Sequence, residues 1–224
     1  MTDRTTFLAG RPQARGLATN KVLKNTYALL SATLLFSALA AGLAMYLKMP
    51  PLAWYITLAG YFGLLFLTAR CRNSVAGIFC VFALTGFMGF TLGPIISIYV
   101  TVIPNGSQLV VTALGGTGLI FLGLSGYVLT TRRDFSFLGS MLFAGILIAF
   151  LAGIGAILLN LPALSLAVSA MFVLLMCGLI LWQTSDIIHG GETNYIMATV
   201  TLYVALYNLF LSLLHLLNFF GGDD

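Results

Sequence analysis

Apolar runs of about 20 residues recur from residue 25 to residue 219 with few charges inside them. A helix needs roughly that length to cross a hydrocarbon core of ~30 Å. The runs predict seven membrane spans, at about 25–47, 52–69, 75–101, 108–130, 138–159, 163–185 and 195–219. Pro50-Pro51, Asn105-Gly106, and Asn160 with Pro162 supply breaks between spans. Residues 1–24, with Arg4, Arg11, Arg15, Lys21, Lys24 and Pro12, lack apolar periodicity and read as a polar, flexible amino-terminal tail. The expected fold class is an all-α membrane protein: a seven-transmembrane-helix bundle over residues 25–224 behind that tail.

Composition agrees with the pattern. Hydrophobic side chains make up 60% of the 224 residues and charged ones 7%, which excludes an ordinary soluble domain. The net charge of +4 does not point to nucleic acid, because half of the ten basic residues lie in the tail and the rest sit at span ends. Counted by side, nine of the ten fall with the amino terminus, leaving Lys48 alone opposite. Basic loops stay in the cytoplasm, so the amino terminus is expected there, with the 186–194 loop on the same side and Asp223 and Asp224 on the periplasmic side. Cys71, Cys80 and Cys177 form neither a disulfide framework nor a metal-binding spacing.

Small residues recur at helical spacing: Thr85, Gly89, Gly93 and Ser97 on the third span, and Gly145, Ala149 and Gly153 on the fifth. Such stripes let helix backbones approach closely in lipid. Pro94 removes a backbone hydrogen bond and is expected to bend the third span. On the seventh, Thr201, Ala205, Asn208, Ser212 and His215 share one face. That face is expected to hydrogen-bond to neighbouring helices, with a water-filled cavity as the weaker alternative.

The densest chemistry lies between Trp182 and His215, which holds Asp186, Glu192 and both histidines. Asp186 sits at the level of Arg70 and Arg72 and can pair with them. Two readings stay open: an exposed helix-end acid, or a buried carboxylate whose protonation gates a cytoplasmic plug. His189 can titrate near neutral pH or be an ordinary loop residue. Glu192 is positioned to cap the last helix.

No enzyme reading survives. Gly123-Leu124-Ser125-Gly126 matches the nucleophile motif of intramembrane serine proteases, and His215 is the available base. Their depths differ by ~20 Å, far beyond hydrogen-bond reach. Gly115-Gly116-Thr117-Gly118 lies inside an apolar span with no strand before it, unlike a phosphate loop. Glycine-mediated helix packing is expected to account for both clusters. No catalytic, metal or cofactor residues are assigned.

FALTGFMGFTLGPIISIY at 82–99, RRDFSFLGSML at 132–142 and the block WQTSDIIHGGETNYIMATVTLYVALYNLFLSLL at 182–214 resemble the Bax inhibitor-1 family. HGGETNYI and LYNLFLSLL within that block are similar to its bacterial YccA-like branch. The resemblance covers all seven spans. It implies a bundle whose last helix is enclosed by the others, in a bacterial inner membrane. It also implies one of two roles: modulation of the FtsH-type AAA protease with its HflK–HflC partners, or a pH-sensitive calcium or cation leak.

In leak-forming relatives an aspartate on the sixth span faces another on the seventh. Here the matching positions are Gln183 and Ala205. Calcium wants charged oxygen ligands, and facing carboxylates raise one pKa enough to sense pH; an amide and a methyl group do neither. The expected function is therefore a modulator, inhibitor or competing substrate, of the protease. The alternative is a leak gated by Asp186 with Gln183, Arg70, Arg72, His189 and Asn208.

Overall fold

The computed structural model describes the backbone from Thr6 to Gly221 and side chains from Thr19 onward. Seven α-helices make up its regular structure: α1 Thr6–Tyr46, α2 Trp54–Cys71, α3 Val75–Val102, α4 Gly106–Thr131, α5 Leu138–Leu158, α6 Pro162–His189 and α7 Tyr195–Gly221. Six of them are long and apolar enough to cross a membrane; α2 is not among the six. Its 18 residues make ~27 Å of helix, and it is set apart from the six by lower apolarity, with Trp54, Tyr55, Tyr61 and Arg70 in it. The amino-terminal tail is the largest departure in bounds. Met1–Thr5 and Gly222–Asp224 lie outside the described residues, and from Thr6 the backbone is continuous with α1.

The helices end where local chemistry requires it. Lys48, Asn105, Arg132 and Asn160 all take left-handed backbone angles in the connections. A side chain on Gly106 would collide with the Tyr99 carbonyl, so only glycine lets the α3–α4 turn close so tightly. Pro162 opens α6 at the position where its missing N–H costs nothing. α3 continues through Pro94 as one helix.

α7 is the central element. Half of its most apolar stretch is buried, against 17% for α5, and it packs on α1, α3, α4 and α6. The family expectation of an enclosed last helix therefore holds. Leu202, Ala205 and Leu209 are fully buried on it, beside Leu84 of α3 and Ile180 of α6. Outside, Leu35, Leu39, Phe66, Phe79, Phe143 and Leu174 are largely exposed, as lipid-facing side chains are.

The small-residue stripes on α3 and α5 are packing faces. A Cβ on Gly89 would lie 2.2 Å from the Ser37 carbonyl oxygen, and one on Gly93 2.6 Å from that of Ala41. Thus α1 and α3 touch backbone to backbone. Gly145 admits Leu175 of α6, and Ala149 is fully buried. The glycines of α4 behave otherwise and correct the sequence reading. Gly115, Gly118, Gly123 and Gly126 have no neighbour within 4 Å of an added Cβ. Each faces open space, Gly118 in the cavity between α4, α1, α3 and α7, so close helix contact does not explain them.

Candidate functional site

Three connections meet at one end of the bundle: α2–α3, α4–α5 and α6–α7. This is the end of Arg70, Arg72, Arg132 and Arg133. The sixth helix runs one turn further than expected, so Asp186 and His189 are helical and the loop is only Gly190–Asn194. Gly190 closes α6 in the left-handed conformation, φ 76°, which suits glycine. Gly191 donates its N–H to the Asp186 carbonyl at 2.9 Å, and any side chain there would strike the Asp186 carboxylate. The two glycines thus wrap Asp186.

Asn194 joins two of the connections. Its Oδ1 accepts from the N–H groups of Ile196 and Met197 at 3.0 and 3.1 Å, capping α7. Its Nδ2 donates to the Arg72 carbonyl and to Asn73 Oδ1, both at 2.9 Å. The cap is therefore Asn194 rather than Glu192. Glu192 instead accepts the Asn194 N–H at 2.7 Å.

Ser185 performs the same service for the α4–α5 connection. Its hydroxyl accepts from the Phe135 N–H at 2.9 Å and lies 3.3 Å from the Arg133 carbonyl. One turn on, His189 Nδ1 sits 2.9 Å from the Ser185 carbonyl. A carbonyl only accepts, so the ring proton in that bond belongs on Nδ1. Asp134 holds the N–H and hydroxyl of Ser136. Those bonds favour the ionised form, and they place the Asp134 carboxyl below the usual carboxylate range.

These contacts bring some of the sequence-predicted residues together and leave others apart. Asp186 feels the charges of Glu192, Asp134 and His189; neither Arg70 nor Arg72 is among its charged neighbours. Gln183 lies one turn deeper, 2% exposed, with its Nε2 bonded to no described group. Ala205 is fully buried, so both family aspartate positions are interior and uncharged here. Asn208 is far from this end, ~20 Å along α7 from Asn194. Its Nδ2 donates to the Val204 carbonyl of its own helix at 2.8 Å, so it does not bond across to a neighbouring helix as expected.

The serine and histidine weighed as a catalytic pair have separate partners. Ser125 meets the Thr184 hydroxyl at 3.5 Å, whereas His215 Nδ1 meets Ser169 at 2.7 Å. Ser169 and Thr184 are ~22 Å apart along α6, which reproduces the depth difference read from the sequence. His215 does bridge two helices, as the polar stripe suggested.

Sequence reasoning passed over two further groups. Asn194 immediately precedes a long helix, an N-cap signature that was available. Tyr203, nearly fully buried, has its hydroxyl 2.6 Å from that of Ser37 and 3.2 Å from the Thr85 carbonyl. It links α7 to α1 and α3 at the depth where Gly89 meets Ser37. Nothing local in the sequence marks that bond.

Residues 19–222 match the family described as Inhibitor of apoptosis-promoting Bax1. The chain belongs to this family. It is 52% identical over 207 residues, 92% of its length, to a protein of Escherichia coli strain K12 named Modulator of FtsH protease YccA, of which 94% is covered. It is 50% identical to an uncharacterized protein of Pseudomonas aeruginosa, with 91% of each chain covered. An uncharacterized membrane protein of Vibrio cholerae is 43% identical, with 94% of each covered. A further Escherichia coli relative at 52% is named Inner membrane protein YccA. With six helices of spanning length, this family member is a multi-pass inner-membrane protein.

Proposed function

We propose that the protein modulates an FtsH-type membrane protease, as an inhibitor or a slowly processed competing substrate. The observation that carries this reading is its 52% identity, across nearly the whole of both chains, to a protein named for that role. In this reading all seven helices cross the membrane. The amino terminus and the basic end face the cytoplasm, and the carboxyl terminus faces the periplasm.

The packing supplies a mechanism. An AAA protease that captures the polar amino-terminal stretch, which from Thr6 is the first part of α1, pulls first on that helix. That helix is the one held backbone to backbone against α3 at Gly89 and Gly93, and it is bonded to α7 through Ser37–Tyr203 and through the Thr199 hydroxyl on the Thr26 carbonyl. Extraction must break these contacts together, inside a membrane where the freed groups find no water. A substrate that is gripped but resists extraction occupies the protease. HflK–HflC association would follow from assembly with the same complex.

Deleting residues 2–20 is expected to leave membrane insertion intact and to abolish both protease engagement and inhibition. Co-purification with cross-linking in native membranes, alongside the half-life of a reporter substrate, measures this. An unchanged half-life and unchanged inhibition in the deletion would overturn the proposal.

A further inference from the structure

A cavity of about 480 Å³ lies beside α7, walled by α2, α3, α5 and α6. That volume is in the range of small-molecule sites. Five phenylalanines line it: Phe62, Phe87, Phe143, Phe150 and Phe172. Its polar groups are few. They are Tyr61, Tyr207, Thr57, Thr91 and Asn208. No charged side chain lines it.

The polar groups differ in whether the protein already satisfies them. Thr91 gives its proton to the Met88 carbonyl at 2.9 Å, and Asn208 uses Nδ2 within its own helix. Among the described residues, the Tyr61 hydroxyl and Asn208 Oδ1 make no hydrogen bond. A second cavity of about 410 Å³ on the other side of α7 has a different character. There the Tyr203 hydroxyl is already bonded to Ser37 and Thr85. Of these two cavities, the Phe-lined one holds Tyr61 and Asn208, whose free atoms are a donor and an acceptor for a guest.

Three requirements follow for that guest. It is uncharged, because a phosphate or ammonium would be buried without a counter-charge. It carries a flat ring, since aromatic walls favour offset and edge-to-face contacts with another ring. It bears oxygen that can accept from Tyr61 and, as a hydroxyl, donate to Asn208. The route in is lateral. Phe62 of α2 and Phe150 of α5 meet edge to face at 5.8 Å beside the cavity, and Phe62 is 47% exposed toward lipid. An apolar tail can leave past this pair into the acyl chains.

We propose that this cavity binds the ring of a membrane quinol, held by Tyr61 and Asn208 between the phenylalanines. The site is independent of the basic end and of the protease reading.

The test uses the full chain, purified in detergent under reducing conditions and titrated with decylubiquinol, whose ring hydroxyls can both accept from Tyr61 and donate to Asn208 Oδ1, with dodecane and a phosphatidylglycerol as comparisons. Saturable binding of the quinol alone is expected. Tyr61→Phe and Asn208→Leu should each weaken it by roughly three- to tenfold. Tyr61→Phe removes an oxygen with no protein partner, so its unfolding temperature without ligand should equal that of the native chain. Lipid extracted from the purified native protein should contain quinol. Equal binding of dodecane, retention of phospholipid only, or unchanged quinol affinity in Tyr61→Phe and Asn208→Leu would each overturn the assignment.

Discussion

At Gly89 the absence of a single carbon lets α1 approach α3. Because the obstructing atom is the Ser37 backbone oxygen at 2.2 Å from an added Cβ, rotation of a side chain cannot relieve the clash. Gly89→Val should lower stability by about 1–3 kcal/mol, read as a fall in unfolding temperature in detergent. Gly118→Val, whose Cβ would meet open space, should cost far less. Equal losses at the two positions would show that the α1–α3 contact is not what Gly89 serves.

Asp134 gives a residue-scale expectation in pH. Its folded-state pKa is depressed by the two bonds from Ser136. Its contribution is therefore complete above the ordinary carboxylate value of about 4 and is lost as pH falls through the lower folded value. Carboxyl chemical shifts followed through an acid titration should show Asp134 titrating below that value. Ser136→Ala should return it upward. A midpoint unmoved by Ser136→Ala would mean that another group holds the charge.

Between elements, the connection Gly190–Asn194 ties the basic end together. Asn194 caps α7 and holds the α2–α3 turn at Arg72 and Asn73, while Ser185 secures the α4–α5 connection at Phe135. Asn194→Ala should cost about 1 kcal/mol through loss of the cap. It should also speed amide exchange at both ends it joins, Ile196 and Met197 in α7 and the residues of the α2–α3 turn. Ser185→Ala should speed exchange at Phe135 and leave the α2–α3 turn unchanged. If the two variants loosened the same amides, the connections would be one cooperative unit rather than two separate attachments.

For the molecule as a whole, whether α2 crosses the membrane decides the topology. At 18 residues, with Arg70 in its last turn, it either crosses the membrane or lies short of it. The seven-span proposal expects a periplasm-active reporter fused at Lys48 to be active and one fused at Asn73 to be silent. Activity at both positions would mean that α2 does not cross.

The sequence alone determined the seven helices, their ends at Pro162 and the asparagine turns, and the close-packing faces of α3 and α5. Each rests on composition and spacing within one segment, which act before any helix meets another. The partners of Asp186, the emptiness around the α4 glycines and the shared cavity of Tyr61 and Asn208 were decided by the tertiary structure. These depend on how far each helix is rotated about its axis. Lipid is as apolar as the side chains it touches, so a hydrophobic pattern says little about which face turns inward, and packing between distant segments sets it.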